Sequence, residues 1–186
     1  ETLSMGRVKS EEKKKEYYDI IGKETNRLSG IVNRILNFSQ MEAKKRRYQF
    51  ASVNLDAVVD ELLRSYDFHL ENKGFTYRVS FREGEKIILA DKEAISEAII
   101  NLLDNALKYS KEEKQIDVAT GEEKGFAYVE VKDYGMGISQ SHQKDIFDQF
   151  FRVPTGDVHN IKGSGLGLTL VKKIVEAHKG KITLDS

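Results

Sequence analysis

Hydrophobic and polar positions change rhythm along this chain. From Tyr17 a proline-free stretch, YYDIIGKETNRLSGIVNRILNFSQMEA, sets Ile21, Leu28, Ile31, Ile35 and Phe38 largely on heptad spacing, with Val32 and Leu36 widening the stripe. The spacing predicts a long helix whose apolar face suits a helical bundle better than a two-stranded zipper. Such a face needs cover: either it packs on the rest of the chain, or it pairs with a helix or second copy outside this sequence. The run from Lys9 to Lys15 ahead of it is almost wholly charged.

After KKRRYQF the pattern becomes that of an α+β domain, and a boundary falls near Tyr48. Leu55 to Glu71 is expected to be an amphipathic helix, with Leu55, Val58, Val59, Leu62, Leu63 and Tyr66 on one side. Phe75 to Phe81 alternates as a strand does, and Ile87 to Ala90 is a short apolar run. Asp91 then caps a helix to about Tyr109. Gln115 to Ala119 and Phe126 to Lys132 form a further pair of strands, parted by the turn-rich TGEEKG. A short helix over 141–150, a last helix from Leu166 to His178 and a strand from Lys181 to Leu184 complete the expectation.

Composition excludes several classes. Thirty basic and thirty acidic residues cancel, so no global positive field favours nucleic acid. Cysteine is absent, which removes disulfides, thiolate metal sites and cysteine nucleophiles. No apolar stretch approaches a membrane span, and the chain as given reads as soluble.

Four stretches carry candidate chemistry. In NLLDNALKYS, helical spacing of roughly 100° per residue puts Asn101, Asn105 and Lys108 in one stripe opposite the apolar face. A solvated face is the ordinary reading. Asparagine is a poor helix former, however, and its amide oxygen is a reasonable ligand for Mg²⁺. DYGMGI follows a strand; Asp133 could accept a hydrogen bond from an exocyclic amine such as adenine's, with glycines letting a ring approach the backbone. In DIFDQFFRV most of the cluster Ile146, Phe147, Phe150 and Phe151 is expected in the core, and Arg152 is expected to face a phosphate. KGSGLGLTLV lacks the preceding strand and the spacing of a dinucleotide fingerprint, and lacks a Walker lysine. What it offers is glycine-rich backbone feeding a helix N-terminus, where N–H groups and the dipole favour anions.

In that order, these stretches resemble the N, G1, F and G2 boxes of sensor histidine kinases, whose ATP-binding fold is shared with gyrase B, the Hsp90 chaperones and MutL. The resemblance runs from about Leu55 to the end. The upstream helix resembles the second helix of the family's dimerisation and phosphotransfer hairpin. It implies a two-layer α/β sandwich over 48–186, with helices covering one face of a mixed sheet, lacking its last strand, and a partial hairpin over 1–47. By motif position it implies that Asn105 ligates Mg²⁺ beside Asn101. Lys108 reaches phosphate, and Tyr109 lies near the nucleotide. Asp133 reads the adenine amine, and Gly135 and Gly137 make room for the ring beside Ile138. Gly163, Ser164, Gly165, Leu166, Gly167 and Leu168 line the phosphates, and Arg152 to Lys162 form the ATP lid.

The cofactors implied are ATP and Mg²⁺; the partners are a response regulator and a second copy joined through the hairpin, with membrane contact only through absent regions. The implied location is cytoplasmic, including as the cytoplasmic portion of a membrane-anchored receptor. Asn101 stands where water-using members carry a glutamate, and an amide cannot take a proton from water. That favours a kinase over a water-using ATPase, while a non-catalytic ATP-binding scaffold stays an alternative. None of His69, His142, His159 and His178 stands in an HExxxP-like acceptor motif; His178 is expected to end a helix as a favoured cation. The phosphoacceptor is therefore expected before Glu1, in a longer kinase.

Overall fold

The computed structural model describes residues 10–42, 46–110, 112–153 and 164–186. The chain divides into two compact units, Glu1–Arg46 and Arg47–Ser186. Among the described residues of the first lies the helix α1 (Glu11–Glu42). Ser10 starts it by accepting the Lys13 N–H, and Glu11 and Glu12 place negative charge where the helix dipole favours it. Of the expected stripe, Ile21, Leu28 and Val32 are about half exposed, at 51%, 56% and 52%. The side chains of Ile31, Ile35, Leu36 and Phe38 lie outside the described residues.

The second unit runs β1 (Ala51–Asn54), α2 (Leu55–Asn72), β2 (Thr76–Phe81), β3 (Ile87–Ala90), α3 (Lys92–Tyr109), β4 (Gln115–Glu123), β5 (Phe126–Asp133) and α4 (Gly167–Ala177). β1 and β3 make a two-stranded antiparallel ribbon. β2, β4 and β5 make a mixed sheet, parallel between β2 and β4 and antiparallel between β4 and β5. Alternate residues of β4, Ile116 and Val118, meet Val59, Leu62, Leu63 and Leu70 of α2 and Ile99, Leu103 and Ala106 of α3 in one core. Against α3, α4 packs with Leu170, Val171 and Ile174 buried. The expected α+β sandwich, helices on one face of a mixed sheet, is therefore present.

Caps set the helix starts. Asn54 Oδ1 accepts the Ala57 N–H at 3.1 Å, and Asp91 Oδ1 accepts that of Ala94 at 2.9 Å. A buried ammonium ties the loop after β2 to the same core: Lys86 Nζ reaches Asp56 Oδ2 at 3.0 Å, Gly84 O at 2.8 Å and the Arg82 carbonyl. Asp56 in turn accepts from the hydroxyl of Thr120 on β4.

Four expectations change. β1 was not foreseen, because ASVN is too short and polar to show alternation; pairing with β3 makes it a strand. TGEEKG is mostly strand: Gly121 pairs with Tyr128 and Glu123 with Phe126, which narrows the turn to Lys124 and Gly125. Both have positive φ, +53° and +80°, the requirement of a two-residue hairpin loop. Over 141–150 there is no α-helix but turns and one 3₁₀ turn, Asp145–Phe147. Long-range bonds take its backbone groups instead: the Phe150 N–H donates to Gly165 O, and the Asp148 carbonyl accepts from Thr169. Finally, no strand forms over 181–184 among the described residues; Ser186 Oγ instead accepts the Ile138 N–H at 2.7 Å.

Candidate nucleotide-binding site

α3 supplies the first wall of the site, and its polar stripe is not the solvated one the spacing suggests. Asn101 is only 8% exposed. Its Nδ2 donates to the Glu97 carbonyl at 2.8 Å, which turns Oδ1 towards the start of α4, 3.2 Å from where a Cβ on Gly167 would stand. The Asn105 amide lies 3.9 Å from that same point. A glycine at 167 thus lets the α4 N-terminus close over both asparagines. Lys108, one turn on, is half-buried and has a partner of its own.

At the other end of α3 the chain meets the loop after β5. Asp133 closes β5 opposite Ile116, on the helix-covered side of the sheet. Its Oδ1 accepts the Gly135 N–H at 2.8 Å and faces Ser110 Oγ at 3.5 Å. A Cβ on Gly135 would stand 2.6 Å from the Tyr109 carbonyl oxygen, so only glycine permits this seam. The buried Ser110 is a site neighbour that the sequence reading did not single out; its place directly after the asparagine-bearing helix was the available signal. Gly137 and Ile138 follow, with Ile138 held by Ser186.

The third wall is the approach to α4. Gly165 has φ of +71°, and a Cβ there would lie 2.8 Å from the Phe150 backbone. Phe150 itself adopts φ of +61°, in the left-handed region that bulky residues avoid, with its ring 63% exposed. The Phe150–Gly165 bond thus clasps the two ends of the segment between them. Ser164 Oγ accepts the Leu166 N–H at 3.4 Å. Leu166 is 2% exposed, so its side chain belongs to the core and only its backbone is offered to a ligand. Leu168 is half-buried, and among the described residues no side chain caps α4. An uncapped helix start over two amides suits a phosphate. Arg152 is exposed, whereas Lys162 and Gly163 lie outside the described residues, as does most of the expected lid.

Among the described residues no three His, Cys, Asp or Glu side chains gather to hold a metal. The donor set fits Mg²⁺ only through an amide oxygen and the ligand's own oxygens, which is a usual way for that ion to bind. The described histidines are engaged in contacts of their own. His178 Nε2 accepts the Asp91 N–H at 3.0 Å and Nδ1 donates to Ile174 O at 2.7 Å. His178, which ends α4 as expected, thereby staples the end of that helix to the start of α3. His69 packs on Tyr66 and His142 on Phe151; His159 lies outside the described residues.

Residues 90–186 match the family described as histidine kinase-, DNA gyrase B- and HSP90-like ATPase. Sensor protein RprX of Bacteroides fragilis is 33% identical over 169 residues, covering 90% of this chain and 33% of RprX. Signal transduction histidine-protein kinase ArlS of Staphylococcus haemolyticus is 31% identical over 172 residues, 88% of this chain and 36% of ArlS. The chain thus spans about a third of the length of these relatives. Among solved structures, full-length ShkA in complex with AMPPNP superposes with a TM-score of 0.75 at 21% identity, over 92% of this chain and 35% of that one. ThkA in complex with response regulator protein TrrA gives 0.71 at 23%, over 94% and 47%. At that identity the superpositions speak for the fold, while the family match extends over more than half of the sequence. The asparagine helix, the aspartate–glycine turn and the glycine-led α4 thus belong to a member of the histidine kinase-, gyrase B- and HSP90-like ATPase family, with sensor histidine kinases among its relatives.

Proposed function

We propose that this chain is the ATP-binding catalytic part of a sensor histidine kinase, which passes the γ-phosphoryl group of ATP to a histidine and from there to a response regulator. The observation that carries the proposal is the convergence of Asp133, Asn105 and the uncapped start of α4 around one seam of α3. Bound ATP supplies the phosphoryl group, and Mg²⁺ offsets its negative charge. In this reading Asp133 accepts a hydrogen bond from the adenine amine beside Gly135 and Gly137. Asn105 contributes an amide oxygen to Mg²⁺, Lys108 and Arg152 face phosphate, and the N–H groups at the start of α4 hold the anion. Asn101 is fixed by its bond to Glu97 and cannot act as a base towards water, which leaves the phosphoryl group for a better nucleophile.

The rest of the proposal follows the relatives. AMPPNP is bound by ShkA and TrrA by ThkA, which supports an adenine nucleotide and a response regulator here. Residues 1–47 are read as part of a dimerisation hairpin and 48–186 as the catalytic domain, acting in the cytoplasm. Among the described residues no helix is long and apolar enough to cross a membrane.

Calorimetric titration with a non-hydrolysable ATP analogue, with and without Mg²⁺, tests the roles. Asp133→Asn is expected to weaken binding at least about tenfold in both conditions, the loss of one hydrogen bond to a charged group. Asn105→Ala is expected to remove mainly the Mg²⁺-dependent part. Equal effects of the two variants in both conditions would refute the assignment.

A further inference from the structure

The residue after Asp133 is a tyrosine that the site leaves unused. Strand alternation sends neighbours to opposite faces of a sheet. Asp133 stands on the helix-covered side, whereas the Tyr134 hydroxyl goes to the outer face and donates to Asp117 Oδ2 at 2.6 Å. Its ring therefore cannot stack on a base held by Asp133.

Asp117, in the middle of the sheet on β4, is itself gripped from both sides. Arg78 of β2 meets it through Nε at 3.0 Å and Nη2 at 3.2 Å, and Gln115 Nε2 donates to it at 2.9 Å. The Lys132 ammonium sits 5.0 Å from the centre of the Tyr134 ring. A carboxylate facing a forked guanidinium is a strong acceptor, so the Tyr134 bond is charge-assisted.

As an exposed ion pair, Arg78–Asp117 adds little to stability. What it does add is a fixed point. The turn from Asp133 to Gly137 is held on the α3 side by Gly135 against Tyr109, with a long bond from the Met136 N–H to the Tyr109 carbonyl. On the sheet side the Tyr134 hydroxyl anchors it to Asp117. Releasing it lets the turn pivot about Gly135, which has no side chain to resist, and the Asp133 carboxylate turns with it.

We propose that the chain Arg78–Asp117–Tyr134 is a positioning device for Asp133, setting the direction from which its carboxylate meets the exocyclic amine of adenine. The inference rests on the reading of Asp133 given above. It makes Tyr134, Asp117 and Arg78 specificity-determining residues that touch no nucleotide.

The test compares binding of ATP with that of purine riboside triphosphate, which lacks the amine, both with Mg²⁺, on the full chain. Tyr134→Phe and Asp117→Ala should each weaken ATP binding about fivefold, the scale of one hydrogen bond. Purine riboside triphosphate should stay within about twofold. The double variant should be no worse than either single one, since both break one bond. Unchanged ATP affinity, equal losses for both nucleotides, or additive losses would overturn the inference. If Asp117→Ala fails to fold, Arg78→Ala replaces it in the cycle. Asp133→Asn is the reference: were it to leave the preference for ATP over the amine-free nucleotide intact, the adenine reading would fall and this inference with it.

Discussion

The two faces of the β2–β4–β5 sheet are built from alternate residues of the same strands and hold together by different physics. On the inner face Ile116, Val118 and Thr120 are essentially fully buried, and the single polar node among them, Thr120 with Asp56 and Lys86, has its hydrogen bonds made. On the outer face Arg78, Asp117, Lys132 and Tyr134 form a partly exposed polar network. Burial of apolar surface is worth far more than an exposed ion pair. The inner face therefore carries stability, and what the outer face contributes is geometry. One residue step at the end of β5, from Asp133 to Tyr134, crosses from one regime to the other.

The sharpest way to break the contrast is Ile116→Ala, which removes a fully buried side chain and should cost about 3 kcal/mol in urea unfolding. A loss under about 1 kcal/mol would mean that the inner face is not the core it looks to be. Next, Lys86→Met leaves Asp56 without its ammonium and should cost about 2 kcal/mol. A stabilised protein would show that the buried pair is replaceable by packing.

On the outer face the signature is in pH rather than magnitude. The Arg78 guanidinium, then the Tyr134 hydroxyl, hold the Asp117 carboxyl down at about 2, against an ordinary 3.8. A depressed carboxyl contributes stability that is present above its unfolded value and lost as pH falls towards its folded one. The unfolding midpoint of the parent chain should therefore fall more steeply between about pH 4 and pH 2 than that of Asp117→Asn. Parallel curves would remove the network from the account. The smallest effect is expected for Arg78→Ala, under about 1 kcal/mol at neutral pH and shrinking with salt. Because that variant loses little stability, any loss of ATP affinity it shows reports positioning.

The helical periods were legible in the chain with little loss. Asp91 as a cap, α3 ending at Tyr109 and β2 as a strand all stand where local rules put them, because each depends on neighbours a few residues away. The clearest failures share one cause. The helix expected over 141–150 is overridden because Gly165 and Thr169, far along the chain, bind its backbone. Asn101 leaves the solvated stripe because α4 closes over it.

What the sequence determined by itself is the order of elements and the identity of the four boxes, since residue type, period and spacing are local quantities. Only the tertiary structure decided which side of an element meets which neighbour. That choice put Asp133 and Tyr134 on opposite faces, brought Gly135 against Tyr109, and joined Arg78 to a tyrosine fifty-six positions away through Asp117. Periodicity announces that a face exists; contact across the chain, set by which surfaces can be buried together, says what that face does.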